Sequence, residues 1–136
     1  MGLMNRTLDV NQRIIAATSY TATTTTTAVQ IKSVGSGDES LELILDLSVK
    51  GGTHDSSNYF QIVLEAGETS GGTFYAVDGV AITSDVIATG TTIVGLNTRQ
   101  ITEAVGSQDA NYYRLVITKV LTTATDITLE AYLQKA

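Results

Sequence analysis

A chain of 136 residues makes one domain and can bury roughly two-thirds of the surface it exposes when unfolded. It has no cysteine, which excludes a disulfide framework and any zinc-thiolate site. A formal net charge of -6 and a pI near 4.5 disfavour a grip on the phosphate backbone of nucleic acid, and no apolar run reaches the roughly 18 residues that span a bilayer.

At the N-terminus, MGLMNR lacks the basic-then-apolar pattern of a signal peptide, and Arg6 stands where a myristoylation signal wants serine or threonine. Neither membrane nor nucleic acid is an expected partner. The stretch TSYTATTTTTAVQI, residues 18–31, holds five consecutive threonines. A glycosylated stalk would mix in proline over a longer tract, and this chain has no proline. Threonine suits a pleated, half-buried surface, so the run reads as an extended arm or edge strand whose hydroxyls bond a neighbour's backbone.

The strands begin with AVQIKSV, residues 28–34. In LELILDLSV, residues 41–49, a two-residue period puts Leu41, Leu43, Leu45, Leu47 and Val49 on one face and Glu42, Ile44, Asp46 and Ser48 on the other. NYFQIVLEA repeats the alternation, with Phe60, Ile62, Leu64 and Ala66 on its apolar face. Short strands follow in TFYAVD (73–78), TTIVGL (91–96) and NYYRLVITKV (111–120), and TDITLEAYLQ closes the set with Ile127, Leu129, Ala131 and Leu133 inward. Residues 97–105, NTRQITEAV, are read as either a short helix or a strand, the strand being preferred. About eight antiparallel strands joined by glycine-rich and polar turns predict an all-β, single-domain β-sandwich, a jelly roll over residues 28–136, preceded by an extended arm at 1–27.

Catalytic constellations are scarce. THDSS brings His54, Asp55, Ser56 and Ser57 together in sequence, but triads are assembled by the fold, and a solvated loop is the expected setting. GSGDES supplies Asp38 and Glu39 without the ligand spacing of a calcium loop, and neither phosphate-loop pattern occurs. Glu65 and Glu130, each in an LEA tripeptide, are expected on solvated faces rather than as a glycosidase pair. No catalytic residue, cofactor or metal site is expected.

The layout of RTLDVNQRIIAATSYTAT, AVQIKSVGSGDESLELILDLSV, NYFQIVLEAG with TFYAVDG, and the closing pair DANYYRLVITKV and ITLEAYLQ resembles the small jelly-roll cement or decoration proteins of tailed-phage capsids, as found in a Bordetella podophage. The resemblance spans nearly the whole chain without a diagnostic motif. It implies a structural protein on the capsid exterior, assembled in the host cytoplasm, whose partners are the major capsid protein and sister copies in a trimer. It also gives the arm a docking role, for which the candidate interface residues are Arg6, Arg13, Ile14, Ile15, Thr24, Thr25 and Thr26. The alternative is a carbohydrate- or receptor-binding module of a tail or fibre, built on Tyr59, Tyr75 and Tyr132 with Asp38 or Asp55.

Overall fold

The computed structural model describes residues 10–31, 39–82, 89–107 and 110–136. After a 3-10 turn at Val10–Gln12, the elements are β1 (Arg13–Tyr20), β2 (Thr24–Thr25), β3 (Val29–Gln30), β4 (Ser40–Gly52), β5 (Tyr59–Gly67), β6 (Phe74–Ile82), β7 (Gly90–Asn97), α1 (Thr98–Val105), β8 (Tyr112–Val120) and β9 (Ala124–Lys135). All pairings are antiparallel. One sheet has the order β1-β9-β4-β7; the other runs β2-β8-β5-β6, with β3 continuing the β2 edge along β8.

Counting β2 and β3 as one interrupted edge, the chain visits eight strand positions and passes between sheets at most steps. Two four-stranded sheets in this order make the double Greek key of a jelly roll. Period-two patterning places the core between them. On the first sheet Leu43 faces Leu133 across the β4–β9 pair, with Leu45 beside Ala131 and Leu47 beside Leu129. On the second, Ile62 lies beside Ile117 and Leu64 beside Leu115. All of these are buried. Val49 leaves this face: the register slips between Leu47 and Val49, and the side chain is exposed. A bulge adds one residue, which breaks the two-residue period and turns Val49 outward.

Two expectations change. Residues 98–105 are helix rather than strand: Asn97 accepts from the Gln100 backbone amide at 3.0 Å, Gln100 Oε1 accepts from the Asn97 amide at 2.9 Å, and Gly106 ends the helix at φ 79°. This reciprocal cap and left-handed glycine fix the ends of a short helix whose only large apolar residues are Ile101 and Val105. Thr98 and Ile101 turn inward, and Ile101 joins the core.

The second change concerns the arm. Residues 13–20 form β1, an edge strand of the first sheet paired with β9, and Ile14, Ile15 and Tyr20 lie in the inter-sheet core. The sandwich therefore begins well before residue 28. Register slips between Arg13 and Ile15 and between Ile15 and Thr18 let two consecutive isoleucines both be buried.

Candidate functional site

The threonine run lies along the open side of the sandwich. After Tyr20 the chain crosses from the edge of one sheet to the edge of the other, where Thr24 and Thr25 pair with Ile117 and Val116 of β8, and Val29 and Gln30 with Tyr113 and Tyr112. Between the two edges is an open groove of about 340 Å³, lined by Ile14, Ile15, Ala16, Thr18 and Tyr20 on one side and by Thr24–Thr27 and Val29 on the other.

Threonine hydroxyls repair the interrupted edge. Thr23 Oγ1 accepts from the Lys119 amide at 3.1 Å, and Thr26 Oγ1 accepts from the Leu115 amide at 2.9 Å, so both flanks of the two-residue β2 stay tied to β8. Thr18 and Thr24 donate back to the carbonyls of Ala16 and Ala22 at 2.8 and 2.9 Å, leaving hydroxyl lone pairs as acceptors at the rim. Ala16, Thr18, Thr25 and Thr27 are exposed.

Electrostatically the groove is blank. No residue from 14 to 31 is charged, although the whole chain carries 22 charged side chains, 8 basic and 14 acidic. Arg13 lies outside the groove, 3.5 Å from Glu130, and this pair adjoins Tyr132, whose hydroxyl is held above its ordinary pKa by desolvation and by the Glu130 charge. Lys119 Nζ reaches the Thr21 carbonyl at 3.3 Å. Both edges lack proline and inward charge, the usual means of blocking strand addition.

Five of the seven candidate interface residues, Ile14, Ile15, Thr24, Thr25 and Thr26, thus line one groove. Ile14 and Ile15 belong to its floor and the chain's own core, so they are not anchors for a neighbour's pocket. Arg6 and Asp38 lie outside the described residues. Ala16, Tyr20 and Val29 also line the groove, and the signal that marks them in the sequence is the uncharged run itself.

The other candidates do not converge. His54 Nε2 contacts the Gly51 carbonyl at 2.9 Å, and its ring centroid is 6.1 Å from that of Phe60. Asp55 instead accepts from the amides of Ser57 and Asn58 and from the Asn58 side chain, bonds that hold its carboxyl below the ordinary range. This is an Asx turn, with no hydrogen bond from His54 to either serine.

Glu65 pairs with Arg114 at 2.8 Å on the outer face of the second sheet, where the guanidinium carbon stands 4.1 Å from the Phe74 ring centroid. Glu130 is on the outer face of the first sheet, so the two LEA carboxylates lie on opposite sides of layers packed about 10 Å apart. Tyr132 shares that first face, whereas Tyr59 and Tyr75 stand at opposite ends of the second sheet, about 25 Å apart along β5. No aromatic platform joins them. Among the described residues, no group of three histidine, aspartate or glutamate side chains is placed to hold a metal.

No family model matches the chain, and no curated protein or solved structure is significantly similar to it.

Proposed function

We propose that this protein is a structural virion component that binds the outside of a phage capsid and cements contacts between major capsid subunits. The observation that carries the reading is the uncharged groove between two sheet edges that carry no proline and no inward charge. A site of this kind fits an extended, weakly charged segment of another protein: unpaired backbone groups of β1 supply main-chain hydrogen bonds, the threonine hydroxyls accept at the rim, and the isoleucine floor takes apolar side chains.

The acidic remainder of the molecule agrees with an exterior position, away from packaged nucleic acid. On this reading the protein acts by binding: Glu65 and Glu130 are paired with Arg114 and Arg13, and Asp55 is held in an Asx turn. A glycan-binding reading would need stacking rings on one surface, and the tyrosines are dispersed.

The test is co-sedimentation with phage particles stripped of their decoration. Ala16→Lys and Thr25→Lys, at exposed rim positions, should each weaken particle binding at least about tenfold, since burying an unpaired charge is costly, while leaving the melting temperature within a few degrees. Normal decoration by both variants would refute the reading.

A further inference from the structure

Sheet edges differ in how well they are blocked, and β7 is the least blocked. It pairs with β4 from Ser40↔Asn97 to Leu47↔Gly90 without a register slip, and no described strand lies on its other side. β1 is broken by two bulges, the β2–β3 edge by an interruption, and β6 by a register slip against β5, with the charged Asp78 in its sequence. β7 contains no proline and no charged residue. Its outward row is Thr91, Ile93 and Gly95, all exposed, with Ile93 at 39% one of few large apolar side chains left in solvent among the described residues.

We propose that β7 pairs with β7 of a second copy, antiparallel about a two-fold axis through Ile93. A two-fold contact is self-complementary, so the strand must match its own reverse. With Ile93 opposite Ile93, Thr92 meets Val94 and Thr91 meets Gly95. At Gly95 even an added Cβ would have nothing within 4 Å, which leaves space for the branched threonine. No like charges are brought face to face.

The pairing also completes an apolar row. Ile93 is in register with Ile44 and Ile44 with Tyr132 on the outer face of the first sheet, and this row stops at the β7 edge. A second copy continues it in reverse order and covers Ile93. The two first sheets become one eight-stranded sheet whose β1 edges, with their grooves, are at the far ends. The contact is small beside the roughly 800 Å² per partner of a stable interface, so association is weak and belongs at roughly 10 μM to 1 mM.

The inference does not depend on the capsid reading, because the isolated full chain tests it. Sedimentation equilibrium over about 10 μM to 1 mM should show reversible approach to dimer mass. Ile93→Lys should remain monomeric throughout while keeping the circular dichroism spectrum of the folded β protein. Ile93→Cys, introducing the chain's sole thiol, should oxidise to a covalent dimer, since facing Cα atoms in an antiparallel pair lie roughly 4.5–5.5 Å apart, within disulfide reach. Ala76→Cys, exposed on β6, should oxidise far more slowly. A wild-type monomer at every concentration, a trimer, undiminished dimerisation by Ile93→Lys, or equal oxidation of the two cysteine variants would each overturn the proposal.

Discussion

Thr26 and Leu115 form a closed pair in which the Thr26 amide donates to the Leu115 carbonyl at 2.9 Å and the Leu115 amide donates to Thr26 Oγ1, also at 2.9 Å. In a regular antiparallel ladder the second acceptor would be a backbone carbonyl. Here a hydroxyl takes its place, so the chain can turn out of the sheet after Thr25 without orphaning a buried donor on β8. This answers what the threonine run does locally: it holds an irregular edge on a regular strand.

Replacing Thr26 by valine keeps its shape and removes that acceptor. The Leu115 amide is then buried and unsatisfied, at a cost of about 1–3 kcal/mol. Thr26→Ser should recover most of the loss, whereas Thr27→Val, at an exposed neighbour, should change stability by less than about 0.5 kcal/mol. Urea denaturation of the three variants checks the order. Equal stability of Thr26→Val and wild type would show that the hydroxyl bond is dispensable.

Ile44 carries a second prediction. It alternates away from the inter-sheet core, on the face it shares with Glu42, Asp46 and Ser48, yet it is 0% exposed between Tyr132 and Ile93. Ile44→Ala should therefore cost about 2–5 kcal/mol, in the same range as Leu43→Ala. A loss below about 1 kcal/mol would place Ile44 on a solvated face after all.

Alternation made the long strands legible: the leucines of β4, Phe60 to Ala66 of β5 and Ile127 to Leu133 of β9 all turn inward as read from a two-residue period. The first strand was not legible because two bulges destroy that period in RIIAATSY. The helix was hidden for another reason. Its evidence lies in terminal hydrogen bonds, the Asn97–Gln100 box and Gly106, more than in apolar spacing. Of the candidate site, the threonines announced an edge, but the groove exists only because β1 belongs to the opposite sheet, a tertiary relationship that local pattern does not encode.

Tyr113 gives the protein an alkaline limit. The side chain is fully buried and its hydroxyl donates to the Ala110 carbonyl at 2.9 Å; burial pushes its pKa well above the ordinary value of about 10. The unfolded chain releases this proton first, so the stabilisation is complete below about pH 10 and is lost as pH rises from there toward the folded-state value. Melting temperature should fall steeply above about pH 10. Tyr113→Phe should flatten that fall in part, since Tyr132 is shifted in the same direction, and should cost about 1 kcal/mol at neutral pH for the lost hydrogen bond. Identical alkaline profiles for both proteins would exclude Tyr113 as a source.

The last prediction separates a docking arm from a structural strand at the N-terminus. An arm outside the core could be removed without harm to the sandwich, because an extended segment with little buried surface contributes nothing to offset its ordering entropy. β1 is built differently: Ile14, Ile15 and Tyr20 all lie in the core, and the backbone of β1 covers one edge of β9. Deleting residues 1–20 removes all three side chains at once. At about 2–5 kcal/mol for each large apolar group, the loss rivals the whole 5–15 kcal/mol that stabilises a typical domain. It also bares a β9 edge from Ile127 to Tyr132 that invites aggregation. The truncated chain should therefore be insoluble or unfolded by circular dichroism, and Ile14→Ala alone should lower stability by about 2–5 kcal/mol. Since Ala16→Lys leaves the core intact, it should fold normally and lose only binding. A truncated chain that stays folded within a few degrees of the wild-type melting temperature would mean that β1 is dispensable to the sandwich.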